Sequence, residues 1–431
     1  MKILFIIPGS GDSFYCGNCF RDNLHATALR KAGHEVIIMP LYLPLTHKSI
    51  QANTPIFFSA VTYYIAQKFF ARRRIPKWLE RLTGSRAALR IASSMSGTTS
   101  AEGMEAMTLS MITGAITDKA FHNQVQPLIE WIRNHDTPDV IHLSTTLLLG
   151  VAKAIHKEMN IPTVCSLQDE EVWIDTLNTR DARAAWSAIA QNITCISAFT
   201  ASSEFYKATA IRRFPHIRHI EVIYPGIDHS KYACADVPAH PTIGFFYRMN
   251  RDNGLHILAE AFAKLKRNNT IPNLKLKIGG GYSGADRRFL RKIRRTLAPF
   301  MSDVEICSHY SVGSHASFYA SVSVVCVPLT FDEAVGLYVC EAFACGRPAV
   351  EPATGSFPEI VSDAGILYHP NTPEALSQAL EIIFTTNALY TASTRKANEL
   401  ATIRYSDKVA AERLTKLYAT LVDNGEFRME S

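Results

Sequence analysis

The sequence predicts an α/β protein of two Rossmann-like, doubly wound domains facing each other across a cleft, with a helical insertion in the first. Three observations carry this. Short apolar runs, of the kind buried on both faces of a parallel sheet, alternate with helix-length amphipathic segments. The alternation breaks at a turn-rich stretch, PGIDHSKYACADVPAHP (225–241), and then restarts. The chain's 431 residues, 47% hydrophobic and 19% charged, suffice for two or three globular cores.

The chain opens with KILFII, a strand by its unbroken apolar run. A small-residue loop, PGSGDSFYCGN, leads into a helix whose Phe20, Leu24 and Ala28 share a face. Arg30 and Lys31 in its last turn and Gly33 beyond are stop signals. EVIIMPLYL completes one βαβ unit. DVIHL (139–143), a helix over 149–159, PTVCSL (162–167), TCISA (194–198) and HIEVIY (219–224) continue the rhythm. Residues 44–135 interrupt it with mixed helical patterns and form the expected insertion. The first domain is therefore set at 1–225 and the linker at 226–241. In the second domain, 242–405, TIGFFYRM is a strand. GLHILAEAFAKLKRN is a helix with Leu255, Leu258, Phe262 and Leu265 on one face. LKLKIGGG, DVEIC, SVVCVPL, RPAVEP and GILYH follow as strands.

No apolar run reaches the length of a membrane span. The run in MKILFIIPG is too short for a signal peptide, so a cytoplasmic location is expected. Of nine cysteines, Cys16 and Cys19 form a lone CxxC with no second pair nearby, which favours a structural role over metal. The net charge is +6, and residues 65–95 hold eight Lys or Arg against one Glu. Phe57, Phe58, Tyr63, Tyr64, Phe69, Phe70 and Trp78 interleave with these cations. The basic aromatic segment 57–91 is expected to contact the inner face of a membrane or an anionic lipid. The plainer alternative is a set of insertion helices that turn their aromatics inward. No nucleic-acid recognition module is present, so no nucleic-acid partner is expected.

Ligands of doubly wound sheets bind beyond the carboxyl ends of the strands. Arg248 falls there after the first strand of the second domain, where a guanidinium can fork onto a phosphate. Gly280 and Gly281 fall after the second strand, where absent side chains expose backbone N–H groups. In DEAVGLYVCEAFACG (332–346), Gly336 should open a helix. The N–H groups of Val335, Gly336 and Leu337 would then lie at its positive end. Glu333 sits in the loop before that helix and Glu341 about one and a half turns inside it. The two acids can thus face different parts of one ligand.

This arrangement resembles the retaining glycosyltransferases of family 4, which have the GT-B fold. Glu333 and Glu341 match the family's E-x7-E. The following AFACGRPAVEPATGSFPEIVSDAGILYHPNTPEAL looks like its A-x-G-x-P-V-V…G…P-E-I-V…G…P segment. YRMNRDNGLHILAEAF, VIYPGID (222–228) and KAGHEV (31–36) are similar to three further family motifs. The likeness covers most of the chain and is strongest over 220–385.

The resemblance implies a hexosyl transfer from a nucleoside-diphosphate sugar to a hydroxyl, with retention and without a metal or other cofactor. Glu341 would hold the ribose hydroxyls and Glu333 the donor sugar. Val335, Gly336 and Leu337 would meet the phosphates, and Arg248 the leaving diphosphate. His309, which follows the strand DVEIC, is placed either near the base or on the surface. A glycan or lipid-linked acceptor, and surface-polysaccharide or glycolipid assembly, are the implied setting. The terminal segment 406–431, including DKVAAERLTKLYATLVD, would be a helix crossing back to the first domain.

Some positions depart from the family. The lysine of its K-G pair is Asn253 here, with Arg251 nearby as a substitute cation. The first-domain Gly-Gly corresponds to Cys16-Gly17-Asn18, so Gly17 and Asn18 become the binding positions. His-Asp becomes Gln168-Asp169, followed by Glu170 and Glu171. Asp169 joins Glu333 and Arg248 in the implied catalytic set, although Asp169 and Glu170 could instead cap a following helix.

Three alternatives stay open. The departures fit a catalytically silent scaffold that binds a nucleotide sugar. An epimerase of the same fold is another. Gly279-x-Gly281-x-x-Gly284, with Glu305 about 20 residues on, also fits a dinucleotide fingerprint and hence an NAD-dependent oxidoreductase. Against that last reading, this is its domain's second strand. The next helix is also strongly basic, with Arg287, Arg288, Arg291, Lys292, Arg294 and Arg295 read as a solvated face.

Overall fold

A computed structural model describes residues 1–8, 15, 17–41, 108–114, 119–135, 137–232, 238–307 and 311–423. The 57–91 segment, Cys16 and His309 lie outside the described residues. Two six-stranded parallel sheets form the two lobes. The first orders its strands β2-β1-β3-β4-β5-β6, where β1 is Lys2–Ile7, β2 Glu35–Pro40, β3 Val140–Leu143, β4 Thr163–Leu167, β5 Ala198–Ala201 and β6 Ile220–Val222. The second orders them β12-β11-β10-β7-β8-β9, with β7 Thr242–Phe246, β8 Lys275–Gly279, β9 Val304–Ile306, β10 Val324–Val325, β11 Ala349–Pro352 and β12 Gly365–Tyr368. Chain direction across the sheet reverses between β1 and β3, and again between β7 and β10. Those two switch points are where such sheets open a crevice.

Two strands differ from expectation for identifiable reasons. TCISA is not a strand: Ile193–Cys195 forms a 3-10 turn, and pairing in β5 begins only at Ala198. Isoleucines at 193 and 196 suit a buried turn as well as a strand, so composition could not separate the two. SVVCVPL pairs only at Val324 and Val325. Beyond them the Val327 N–H donates to the buried Glu351 carboxylate (3.1 and 3.2 Å) and leaves the ladder.

The helices are α1 (Gly17–Lys31), α2 (Lys119–Asn134), α3 (Leu149–Met159), α4 (Glu170–Ile174), α5 (Thr179–Asn192), α6 (Glu204–Arg213), α7 (Leu255–Asn268), α8 (Arg287–Leu297), α9 (His315–Ala320), α10 (Leu337–Ala344), α11 (Phe357–Val361), α12 (Pro373–Thr385), α13 (Asn387–Ile403) and α14 (Asp407–Asp423). All eight residues of α10 are buried, because an apolar helix finds cover on every side. Gly336 caps it at φ 58, a backbone that glycine adopts without strain. The six cations of α8 are exposed and form no ion pair among the described residues, as a solvated face would.

The last described helix, α14, packs on the lobe that holds β1. Ala410, Leu414, Leu417 and Tyr418 of α14 pack with Ile3, Phe5, Leu29 and Val140 of the first sheet and α1. Two strands of chain cross between the lobes side by side. The Ile227 N–H donates to the Tyr405 carbonyl (2.6 Å), and the Asp407 N–H to the Ile227 carbonyl (3.0 Å). Lys31 bridges Asp228 (2.7 Å) and Asp407 (2.8 Å) across that junction.

Under the first sheet His142 joins Tyr418 (2.5 Å) and Ser166 (2.8 Å). Burial pushes the His25 imidazole down to about 3, with the Arg21 guanidinium adding to the effect. Burial likewise holds His142 well below its ordinary value. An unfolded chain protonates both below about pH 6.5, whereas the fold keeps them neutral, so their contribution is present above that pH and lost as pH falls toward 3. In urea titrations between pH 6.5 and 5, His25→Gln should lose stability less steeply than the natural protein, by up to about 1.4 kcal/mol per pH unit. Equal slopes would exclude His25 as a source of acid sensitivity.

Candidate active site

On the second lobe the site begins where β7 ends. The Arg248 guanidinium donates to Asp286 (Nε 3.2 Å, Nη2 3.1 Å) and to Ser283 Oγ (3.1 Å). Asp286 also accepts from the Ser283 N–H (2.9 Å) and hydroxyl (2.7 Å), which closes the turn before α8. Asn253 is buried, and its side-chain amide donates to the Arg248 carbonyl (2.8 Å), stiffening the turn after β7. Gly280 and Gly281 take φ of 101 and 75 after β8. A Cβ at Gly280 would lie 2.4 Å from the Tyr247 carbonyl oxygen, so only glycine fits.

Beside this rim stands the start of α10. Glu333 accepts from the Val335 (2.9 Å) and Gly336 (3.1 Å) N–H groups, so its carboxylate already sits at the helix's positive end. Burial raises its pKa against those two bonds. One turn on, Glu341 is fully buried. Oε1 accepts from the Tyr232 hydroxyl (2.6 Å) and meets His315 Nδ1 at 2.6 Å. Oε2 accepts from the hydroxyls of Tyr15 (3.0 Å) and Tyr319 (3.2 Å). Tyr15 belongs to the first lobe, and its N–H also donates to the Gly280 carbonyl (2.7 Å). A Cβ at Gly17 would come within 4.0 Å of the Leu337 Cβ, so α1 starts directly against α10.

The first lobe contributes Asp169, two residues beyond β4, at φ 41. It stands at the cap position of α4 but makes no cap; Oδ1 instead accepts the Ala334 N–H across the cleft (3.1 Å). Burial, then the neighbouring Glu333, Glu171 and Glu170 charges, push its pKa well above the ordinary value. Glu170 turns inward to the Thr146 and Gln168 N–H groups (3.1 and 2.9 Å) and the Tyr206 hydroxyl (2.7 Å). The Ala334 carbonyl accepts from Ser202 and Ser203 (2.9 and 2.8 Å). A cavity of about 260 Å³ opens beside Asp169, at the carboxyl ends of β1, β3 and β4.

The structure therefore brings Arg248, Asn253, Gly280 and Gly281 to one rim, with Glu333, Val335, Gly336, Leu337 and Glu341 beside them. Gly17 and Asp169 face these from the other lobe. Asn18 occupies the first turn of α1. Sequence reasoning missed the ring of groups around Glu341. His315 and Tyr319 stand one helical turn apart on α9, a spacing that could have flagged them. Tyr15 and Tyr232 lie in turn-rich stretches without periodicity, and only the tertiary fold brings them to Glu341.

Residues 240–386 match the family described as glycosyl transferases group 1, and residues 119–231 match glycosyltransferase family 4. This chain belongs to the group 1, family 4 glycosyltransferases. A D-inositol 3-phosphate glycosyltransferase of Corynebacterium jeikeium is 30% identical over 234 residues, covering 52% of this chain and 55% of that protein. One of the same name from Corynebacterium kroppenstedtii is 27% identical over 225 residues, covering 48% and 49%. The chain spans about half the length of the curated relatives it matches. The solved sucrose-phosphate synthase of Thermosynechococcus elongatus superposes with a TM-score of 0.71 at 17% identity, covering 98% of this chain and all of that one. Anabaena HepE, solved with UDP and glucose, gives 0.66 at 14%, covering 97% and 100%. The family 4 fold is thus GT-B, two parallel sheets facing a cleft.

Within this family 4 site, Glu341→Ala would leave three hydroxyls and an imidazole without their acceptor. Urea unfolding should show a loss of at least about 3 kcal/mol, since each stranded buried donor costs on the order of 1–3 kcal/mol. A loss below about 1 kcal/mol would mean the carboxylate does not anchor the ring.

Proposed function

We propose that this chain transfers a hexosyl unit from a nucleoside-diphosphate sugar to a hydroxyl of a glycan or lipid-linked acceptor, with retention and without a metal or other cofactor. The observation that supports this most is the convergence at the β7/β10 switch point. A guanidinium, a glycine-walled rim, a helix N-terminus and a buried acid meet there, opposite a second acid from the other lobe. Arg248 rests on Asp286 and would exchange that anion for the leaving diphosphate. Charge developing there meets the guanidinium and the positive end of α10. Asp169, with its raised pKa, is a stronger base than an ordinary carboxylate and suits removal of the acceptor's hydroxyl proton.

Donor entry in this reading competes with Tyr15. The ribose would need the Glu341 oxygen that the Tyr15 hydroxyl occupies, and Tyr15 comes from the opposite lobe. Separating the lobes would free that oxygen.

A thermal-shift screen across UDP-, GDP- and ADP-sugars tests the proposal. One nucleotide series should raise Tm, and Arg248→Ala should weaken that response at least about tenfold. Tyr15→Phe, which removes the competing hydroxyl, should tighten it severalfold. Asp169→Asn should cut nucleoside-diphosphate release about a hundredfold or more. No response from any nucleotide would end the proposal.

Among the described residues no helix is long and apolar enough to cross a membrane. For the 57–91 segment we propose a peripheral contact. Co-sedimentation with anionic vesicles should occur at low salt and fade at high salt. Its absence at low salt would refute the contact.

A further inference from the structure

We infer that the acceptor is an uncharged sugar ring or similar cyclic polyol bearing no phosphate, and that the cavity at the first sheet's switch point selects it. This rests on the transfer reaction proposed above and names the chemical class of its acceptor.

The cavity wall is rich in hydrogen-bond acceptors. Asp22, Gln168, Asp169 and Glu170 all line it, with no lysine or arginine among the described lining residues. Arg21 lies behind Asp22, to which it donates at 3.0 Å, and it also reaches the Ser144 carbonyl at 3.5 Å. It is buried, and its Nη2 is engaged while its Nε has no partner, but it is not part of the cavity wall. One lining group is unsatisfied: Gln168 Oε1 is buried and has no hydrogen-bond partner. Ser144 Oγ, also buried, has no partner beyond the neighbouring Asp22 carboxylate. An orphan such as the Gln168 oxygen is costly in a finished fold and points to a missing ligand.

A sugar hydroxyl meets that need, because it donates to the Gln168 oxygen or a carboxylate. A phosphate dianion only accepts. It would face three carboxyl groups and an amide oxygen, with no lysine or arginine on the described wall to offset them. The remaining wall is apolar, and it includes Trp173. This indole is half-buried and has no ring or hydrogen-bond partner among the described residues. The negative face of an indole attracts the C–H face of a sugar ring, whereas it repels an anion. Asp169 lies on the same wall and reaches the cleft, so a ring stacked on Trp173 could present one hydroxyl toward the transfer centre.

Saturation-transfer NMR on the full chain reads binding without any donor. The probes are the methyl glycosides of glucose, mannose and galactose, N-acetylglucosamine and myo-inositol, set against glucose 6-phosphate, mannose 6-phosphate and D-inositol 1-phosphate. At least one neutral probe should bind, with its phosphorylated counterpart at least about tenfold weaker. Trp173→Ala, at a half-exposed position, should weaken that probe about tenfold or more. Gln168→Arg should reverse the preference toward the phosphorylated member. Circular dichroism checks that each variant is folded, and either variant alone suffices to decide. The inference is overturned if no neutral probe binds, if phosphorylated probes bind as tightly, or if either folded variant binds as the natural protein does. A nucleotide response combined with phosphate preference sinks this inference alone. Neutral-sugar binding without any nucleotide response sinks the transfer reading instead.

Discussion

A carboxylate with no access to water organises the centre of this molecule. Glu341 lies inside a helix whose every residue is buried, and a charge there is tolerable only if its oxygens are fully engaged. The engagement comes from four places in the sequence: residue 15 in the first lobe, residue 232 beyond the crossing, and residues 315 and 319 on α9. Three distant segments are thereby tied to one atom pair. Tyr15 meets Phe246 edge-on, Tyr319 lies tilted against Phe246 and Tyr232 tilted against Tyr319, so the polar knot has an apolar jacket. A low local dielectric strengthens each bond and penalises the loss of any one.

A second knot joins the lobes at a single residue. The peptide groups around Ala334 are used in both directions by the opposite lobe, its N–H by Asp169 and its carbonyl by Ser202 and Ser203. Glu359 adds a third bond set, accepting from the Glu204 and Phe205 N–H groups at the start of α6 (2.9 and 3.0 Å). Asp169 and Glu333 thus sit close to a seam between the lobes rather than in open solvent, which is why burial dominates both of their pKa shifts. Of these two acids, Asp169 is itself part of what closes the cleft.

Local patterns reveal those parts of the fold that local chemistry decides. The helix at 149–159 falls where its amphipathic periodicity places it, and the one over 407–423 likewise follows its apolar spacing. The apolar strands β1, β4 and β8 are evident because nothing else in the fold competes for their backbone. TCISA misleads because isoleucine serves a buried turn and a strand equally. The shortness of β10 depends on Glu351, a residue 24 positions away whose carboxylate captures Val327, so no local window contains it. The same holds at the site. Arg248, Gly336 and Glu341 stand at positions that strand ends and helix starts mark in advance. The hydroxyls around Glu341, and the bonds that Glu333 makes to its own helix, are tertiary facts without a local signature.

The paired crossings near Ile227 and Tyr405 have a mechanical consequence. A single tether would let one lobe swivel about the other in any direction. Two neighbouring segments laced by backbone bonds, with Lys31 clamped between Asp228 and Asp407, resist torsion and shear as the leaf of a door does. Swinging about one axis is the motion that remains cheap, and along that path Tyr15 and Gly280 would part and meet again in the same register on every cycle.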